Sequence, residues 1–90
     1  MNDMMILYEE TETSNIKYIS FIGSSNTRFD LAIIQTDRFF GKQLVILIQS
    51  GRTAIIGRDD LEDPDYLQEA FRLTEEETKD LNEYLSQYFY

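Results

Sequence analysis

The chain has 90 residues, 42% of them hydrophobic and 13% aromatic, and carries a net charge of −9. This describes one short domain, able to bury a little over ~60% of its unfolded surface and too apolar to stay disordered. Cysteine, histidine and tryptophan are absent, which excludes a thiolate nucleophile, an imidazole base, a Ser-His-Asp triad, a Cys/His zinc site and a disulfide scaffold.

The opening residues, Met1 to Glu10, hold a short apolar run without a basic region ahead of it or a small-residue cleavage site after it. That is not a secretory signal. The longest continuous apolar run, Leu44 to Ile48, is strand-sized and far below the ~20 residues of a membrane span. A cytoplasmic protein with no membrane partner is the economical expectation.

Up to residue 58 the pattern is that of strands, with β-branched and aromatic residues in short blocks between turn residues. Five strands are expected: Met4–Tyr8, Ile16–Ile22, Arg28–Thr36, Lys42–Gln49 and Arg52–Ile56. Gly23-Ser24-Ser25-Asn26 ends the second. It lacks the spacing and following Lys of a phosphate-binding loop and reads as a turn. Ser50-Gly51 is expected to turn tightly between the last two strands, since glycine supplies the positive φ of a two-residue hairpin.

Beyond Arg58 the period becomes helical. Asp63 before Pro64 reads as an N-cap followed by proline at the first helical position, and Leu67, Ala70 and Phe71 share one face. Thr74-Glu75-Glu76-Glu77 fits a capping box, and Leu81, Tyr84, Leu85, Tyr88 and Phe89 form the apolar stripe of a final helix. Strands followed by helices predict an α+β fold: a two-layer sandwich with a mainly antiparallel sheet of about five strands and two C-terminal helices on one face, all in a single domain, 1–90.

Alternation places Phe29, Leu31 and Ile33 on one face and Ala32 and Ile34 on the other; likewise Val45 and Leu47 oppose Leu44, Ile46 and Ile48. Both faces of the sheet are therefore apolar, and two helices cover only one. Either the N-terminal segment folds across the second face, or the sheet twists strongly, or the chain self-associates through Ile34, Ile46, Ile48 and Ile56.

Charge is segregated. Residues 1–13 hold four acids and no base, residues 14–58 six bases and two acids, and residues 59–90 eleven acids and two bases. Arg28, Arg38, Lys42, Arg52 and Arg58, with Phe39 and Phe40, are what a single-stranded nucleic acid would require of a basic sheet, with Arg28, Arg52 and Arg58 expected on its open face. The plainer reading pairs these bases with the protein's own acids. Asp59, Asp60 and Glu62 are the candidates for a divalent cation, and with one a phosphodiesterase is conceivable. Leu61 and Pro64 break the spacing of a calcium loop, and a cap with a solvated acidic turn explains the same residues.

The run Arg28-Phe29-Asp30-Leu31-Ala32-Ile33-Ile34, then Thr36-Asp37-Arg38-Phe39-Phe40-Gly41-Lys42, then Ala54-Ile55-Ile56-Gly57 into Asp59-Asp60-Leu61, resembles a family of small uncharacterised cytosolic proteins of low-GC Gram-positive bacteria. The resemblance extends over nearly the whole chain and implies a stand-alone bacterial domain. The family brings no catalytic motif or cofactor with it. The residues then lead to a non-enzymatic interaction or regulatory module, a homodimer without a cofactor, whose acidic helices are available to a basic partner. The alternative is nucleic-acid binding.

Overall fold

A computed structural model describes residues 3–89 of the chain. Four strands, β1 (Asn15–Ile22), β2 (Arg28–Gln35), β3 (Gln43–Leu47) and β4 (Arg52–Ile56), form an antiparallel sheet in the order β1-β2-β3-β4. Each connection is too short for a crossover, so every strand lies beside its predecessor. Two helices follow, α1 (Pro64–Phe71) and α2 (Glu75–Phe89), with single 3-10 turns at Asp37–Phe39 and Arg58–Glu62. The α+β sandwich is as the sequence predicts, with one strand fewer.

The missing strand is Met4–Tyr8. Residues 3–14 have no regular structure, and Met4, Met5, Ile6, Leu7 and Tyr8 are 62–85% exposed. The cause lies just beyond them. Glu12 and Glu10 hold Arg38 at 2.5 and 2.8 Å, and the Thr36 hydroxyl donates to Glu12 at 2.8 Å. Since Asn15 pairs with Gln35, these contacts draw the chain over the end of β2 and away from the free edge of β1. The arm extends the molecule to a radius of gyration of 15.3 Å, against about 12 Å for a compact chain of this length.

Beneath the helices the core is one cluster. Phe29, Leu31, Ile33, Val45, Leu47, Ala54 and Ile56 come from the sheet, and Leu61, Leu67, Phe71, Leu81 and Leu85 meet them from above. Phe21 stacks between Phe29 and Tyr84, with ring centroids 5.0 and 4.8 Å apart, and ties β1 to α2. The Tyr88 hydroxyl accepts from Gln35 at 3.0 Å and donates to Gln43 at 2.9 Å, bridging α2 to β2 and β3. At the other side of the sheet α1 packs on β4, and the Tyr66 hydroxyl donates to the Ile55 carbonyl at 2.9 Å.

The helix ends show what capping chemistry decides. Thr74 and Glu77 form the expected box: Glu77 N donates to the Thr74 hydroxyl at 3.2 Å, and Thr74 N to the Glu77 carboxylate at 2.9 Å. Asp63 does stand before Pro64, but its side chain caps nothing. Its own carbonyl has already accepted the Tyr66 N–H, at 3.1 Å. The β3–β4 turn takes four residues, 48–51, instead of two, closed by Gly51 N to Leu47 O at 2.8 Å with Gly51 at φ 74°.

Candidate interaction surface

The strand registers bring the uncovered face into rows. Ile16 lies opposite Ile34, Ile34 opposite Leu44, and Leu44 opposite Ile55, so one apolar row crosses all four strands. The next row is Tyr18, Ala32, Ile46 and Thr53. Tyr18 is 72% exposed and Ile16 50%, while Ile34, Leu44 and Ile46 are half-buried by their neighbours. Branched aliphatic side chains stand on this side because the strands run apolar on both faces, and the two helices occupy the other.

Toward the far end the face turns polar. Ser20 donates to the Asp30 carboxylate, Arg28 pairs with it at 3.1 Å, and the Gln49 amide donates to it at 2.8 Å. The Ser20 hydroxyl, followed by the Arg28 guanidinium, holds the Asp30 carboxyl below its ordinary value. Apolar rows bordered by a satisfied polar patch form the pattern of a contact surface with a rim.

Several expected positions move. Ile56 is wholly buried in the core, because β4 turns Ala54 and Ile56 toward the helices and Thr53 and Ile55 outward. It leaves the self-association set. Ile48 sits in the turn after β3, at the margin of the face. Arg52 is opposite Leu47, on the helix-covered side of the sheet, whereas Arg28 is on the open side. Arg58 belongs to a 3-10 turn, where its guanidinium donates to the Phe89 carbonyl at 2.9 Å.

Other bases are matched to the protein's own acids, the plainer of the two sequence readings for them. Arg38 holds the arm, and Lys42 reaches Asp60 at 3.0 Å and Asp59 at 3.5 Å. Asp60 also accepts the Gly57 N–H at 2.8 Å, as a cap of the 3-10 turn. Asp59, Asp60 and Glu62 do not converge: among the described residues no group of three potential ligands is placed to hold a metal. Phe39 is half-buried, whereas Phe40 is 99% exposed on a left-handed backbone, φ 53°.

One buried acid was not anticipated. Asp80 in α2 is 5% exposed and accepts from Ser24 Oγ at 2.6 Å, Ser25 N at 3.0 Å and Ser25 Oγ. The Ser24 hydroxyl first, then Ser25, holds its carboxyl at about 2. The Gly23-Ser24-Ser25 turn is thus a cradle for an internal anion, joining the β1–β2 turn to α2. No local pattern marks Asp80, because its partners lie more than fifty residues away. The open-face residues Ile16, Tyr18, Leu44 and Ile55 did have a signal, the two-residue alternation of their strands, once the register was known.

On the outer side, a groove of about 890 Å³ runs between the helices, with Asp65, Glu75 and Glu83 against Lys79 in its wall. No helix among the described residues is long and apolar enough to cross a membrane.

A two-layer α+β sandwich, with helices on one face and apolar rows bare on the other, is the class of protein these features define. The SAV0927-like family model matches residues 7–87, and the chain belongs to that family. Comparison with curated proteins gives no match.

Proposed function

We propose that the protein is a non-enzymatic interaction module of the bacterial cytoplasm that works as a homodimer, with the open sheet face as its contact surface. The observation that carries this reading is the apolar row Ile16–Ile34–Leu44–Ile55, continuous across four strands and uncovered. Apolar patches of this kind on a small domain mark interfaces. Each large aliphatic side chain fully taken out of water contributes about 1.5–3 kcal/mol, so a second copy has ample reason to cover the rows. The strongly acidic helical layer, on the other side, stays in water and is free to steer a basic partner.

Light scattering coupled to size exclusion tests the reading. The wild type is expected at twice 10.6 kDa, and Ile46→Lys, with unchanged circular dichroism, at the single mass. A wild type that remains monomeric at several hundred micromolar overturns it.

A further inference from the structure

The arm Met4–Tyr8 has an unusual composition for exposed chain: five consecutive apolar side chains, none packed on the core. A strand with one face in water alternates. A strand apolar at every position suits a place where both of its rows find apolar neighbours. Such a place exists at the free edge of β1. That strand pairs on one side only, with β2, and its eight residues contain no proline and one charge, Lys17. Ile16, Tyr18 and Ile22 point to the open face, while Ile19 and Phe21 point to the helix side, half-buried against the core. A strand added along β1 would lay one row beside each set.

We infer that the arm of one copy adds as a fifth strand to the β1 edge of a second copy, and that the exchange is reciprocal. The inference rests on the reading of the protein as a self-associating module and names the segment that joins the copies. The chain's own β1 is a poor acceptor, because Arg38 grips Glu10 and Glu12 and sends the arm across the end of β2. Glu10 and Glu12 are held beyond the end of β2, where Gln35 is the partner of Asn15, so the arm leaves on the side of β1 opposite its free edge. Lengths agree: at ~3.4 Å per residue the arm spans about 17 Å, within the about 27 Å of β1.

The area agrees as well. Five side chains offering on the order of 100 Å² each, in two arms with matching surface on two acceptors, bring the total to about the 1,200–2,000 Å² of a stable interface. Backbone pairing at an edge provides the affinity and alternate side chains the register.

Two arm substitutions that touch no core residue, Met5→Asp with Leu7→Asp, are tested against Ile46→Lys by light scattering. The expected result is loss of the double mass in the arm variant, a dissociation constant at least tenfold weaker, and unchanged circular dichroism. An arm variant that stays dimeric while Ile46→Lys falls apart overturns the exchange but leaves the face contact standing. A monomeric wild type overturns both.

Cross-linking decides whether exchange is in trans. The chain has no cysteine of its own, so Leu7→Cys can be mixed with Ile16→Cys, Tyr18→Cys or Ser20→Cys and oxidised. A mixed disulfide at twice the mass, faster than for either variant alone, is expected for at least one pair. If no pair gains from mixing, or if Leu7→Cys with Tyr18→Cys in one chain closes to a monomer-sized product, the arm does not bind in trans.

Discussion

A side chain on Gly23 would collide with Asp80: its Cβ would lie 2.5 Å from the carboxylate carbon and 2.7 Å from the Asp80 Cβ. The glycine is required by this close approach, which lets the β1–β2 turn close over a helical acid. Gly23→Ala forces backbone or α2 to shift and is expected to cost about 1–3 kcal/mol, measured by urea denaturation. Combined with Asp80→Ala, the two effects should fall somewhat short of additivity, since the carboxylate has gone although the Cβ at 2.7 Å remains.

Asp80 also gives stability a pH dependence. Its carboxyl titrates at about 2 in the fold against an ordinary 3.8, so the unfolded chain binds the proton more readily. The contribution is whole above about pH 4 and disappears as pH falls through 2. Wild type minus Asp80→Asn, followed by thermal unfolding at steps from pH 6 to 2, should shrink over that window. A difference that holds constant to pH 2 would show that the serines do not stabilise the charged form.

These two residues also mark the limit of what the chain reveals by itself. The alternation of β2 and β3 located the core face at Phe29, Leu31, Ile33, Val45 and Leu47 because period-two patterns depend only on neighbours. The box at Thr74 and Glu77 was legible for the same reason. Asp80 was not, since its meaning depends on a turn at the opposite end of the fold. Ile56 lies on the core face because its register pairs Ala54 with Val45 and Ile56 with Gln43, and a two-residue turn, two positions out of this register, would leave it on that same face; following the alternation through the turn is what places it. Met4–Tyr8 has strand composition, but composition does not say which chain will pair with it.

The helical side of the core should tolerate little. Leu81 is wholly buried in α2, among the sheet and α1 residues of one cluster. Leu81→Ala is expected to cost about 2–5 kcal/mol. An effect below 1 kcal/mol in chemical denaturation would mean that this cluster is not packed as described.

Two exposed positions should gain from substitution. Arg72, which ends α1 at φ 55°, and Phe40, at φ 53°, both occupy the left-handed region. The turn after α1 is closed by Leu73 N to Gln68 O at 3.1 Å, an arrangement in which glycine is the favoured residue. Arg72→Gly and Phe40→Asn are each expected to raise stability by up to about 1 kcal/mol, seen as a higher Tm. A fall in both would indicate that these side chains contribute contacts outweighing the strain.

The grip of Arg38 is local. Glu12, held at about 2 chiefly by the Ser14 and Thr36 hydroxyls with Arg38, keeps its charge at neutral and mildly acidic pH. Arg38→Ala should therefore leave global stability within about 0.5 kcal/mol, yet loosen residues 9–14, seen as lower backbone order parameters by NMR. Unchanged order parameters there would mean that the arm is directed by something other than this ion pair.

The two margins of the sheet are unequal, and this bears on how large any assembly becomes. Tyr66 already occupies the Ile55 carbonyl, and α1 lies against β4, so a strand arriving at that side finds an acceptor taken. Chains with two receptive sides can stack without end into fibres. A chain with one receptive side and one arm finishes as a closed pair when the exchange is reciprocal, and the Tyr66 hydroxyl with α1 keeps the β4 side from adding a further strand to it.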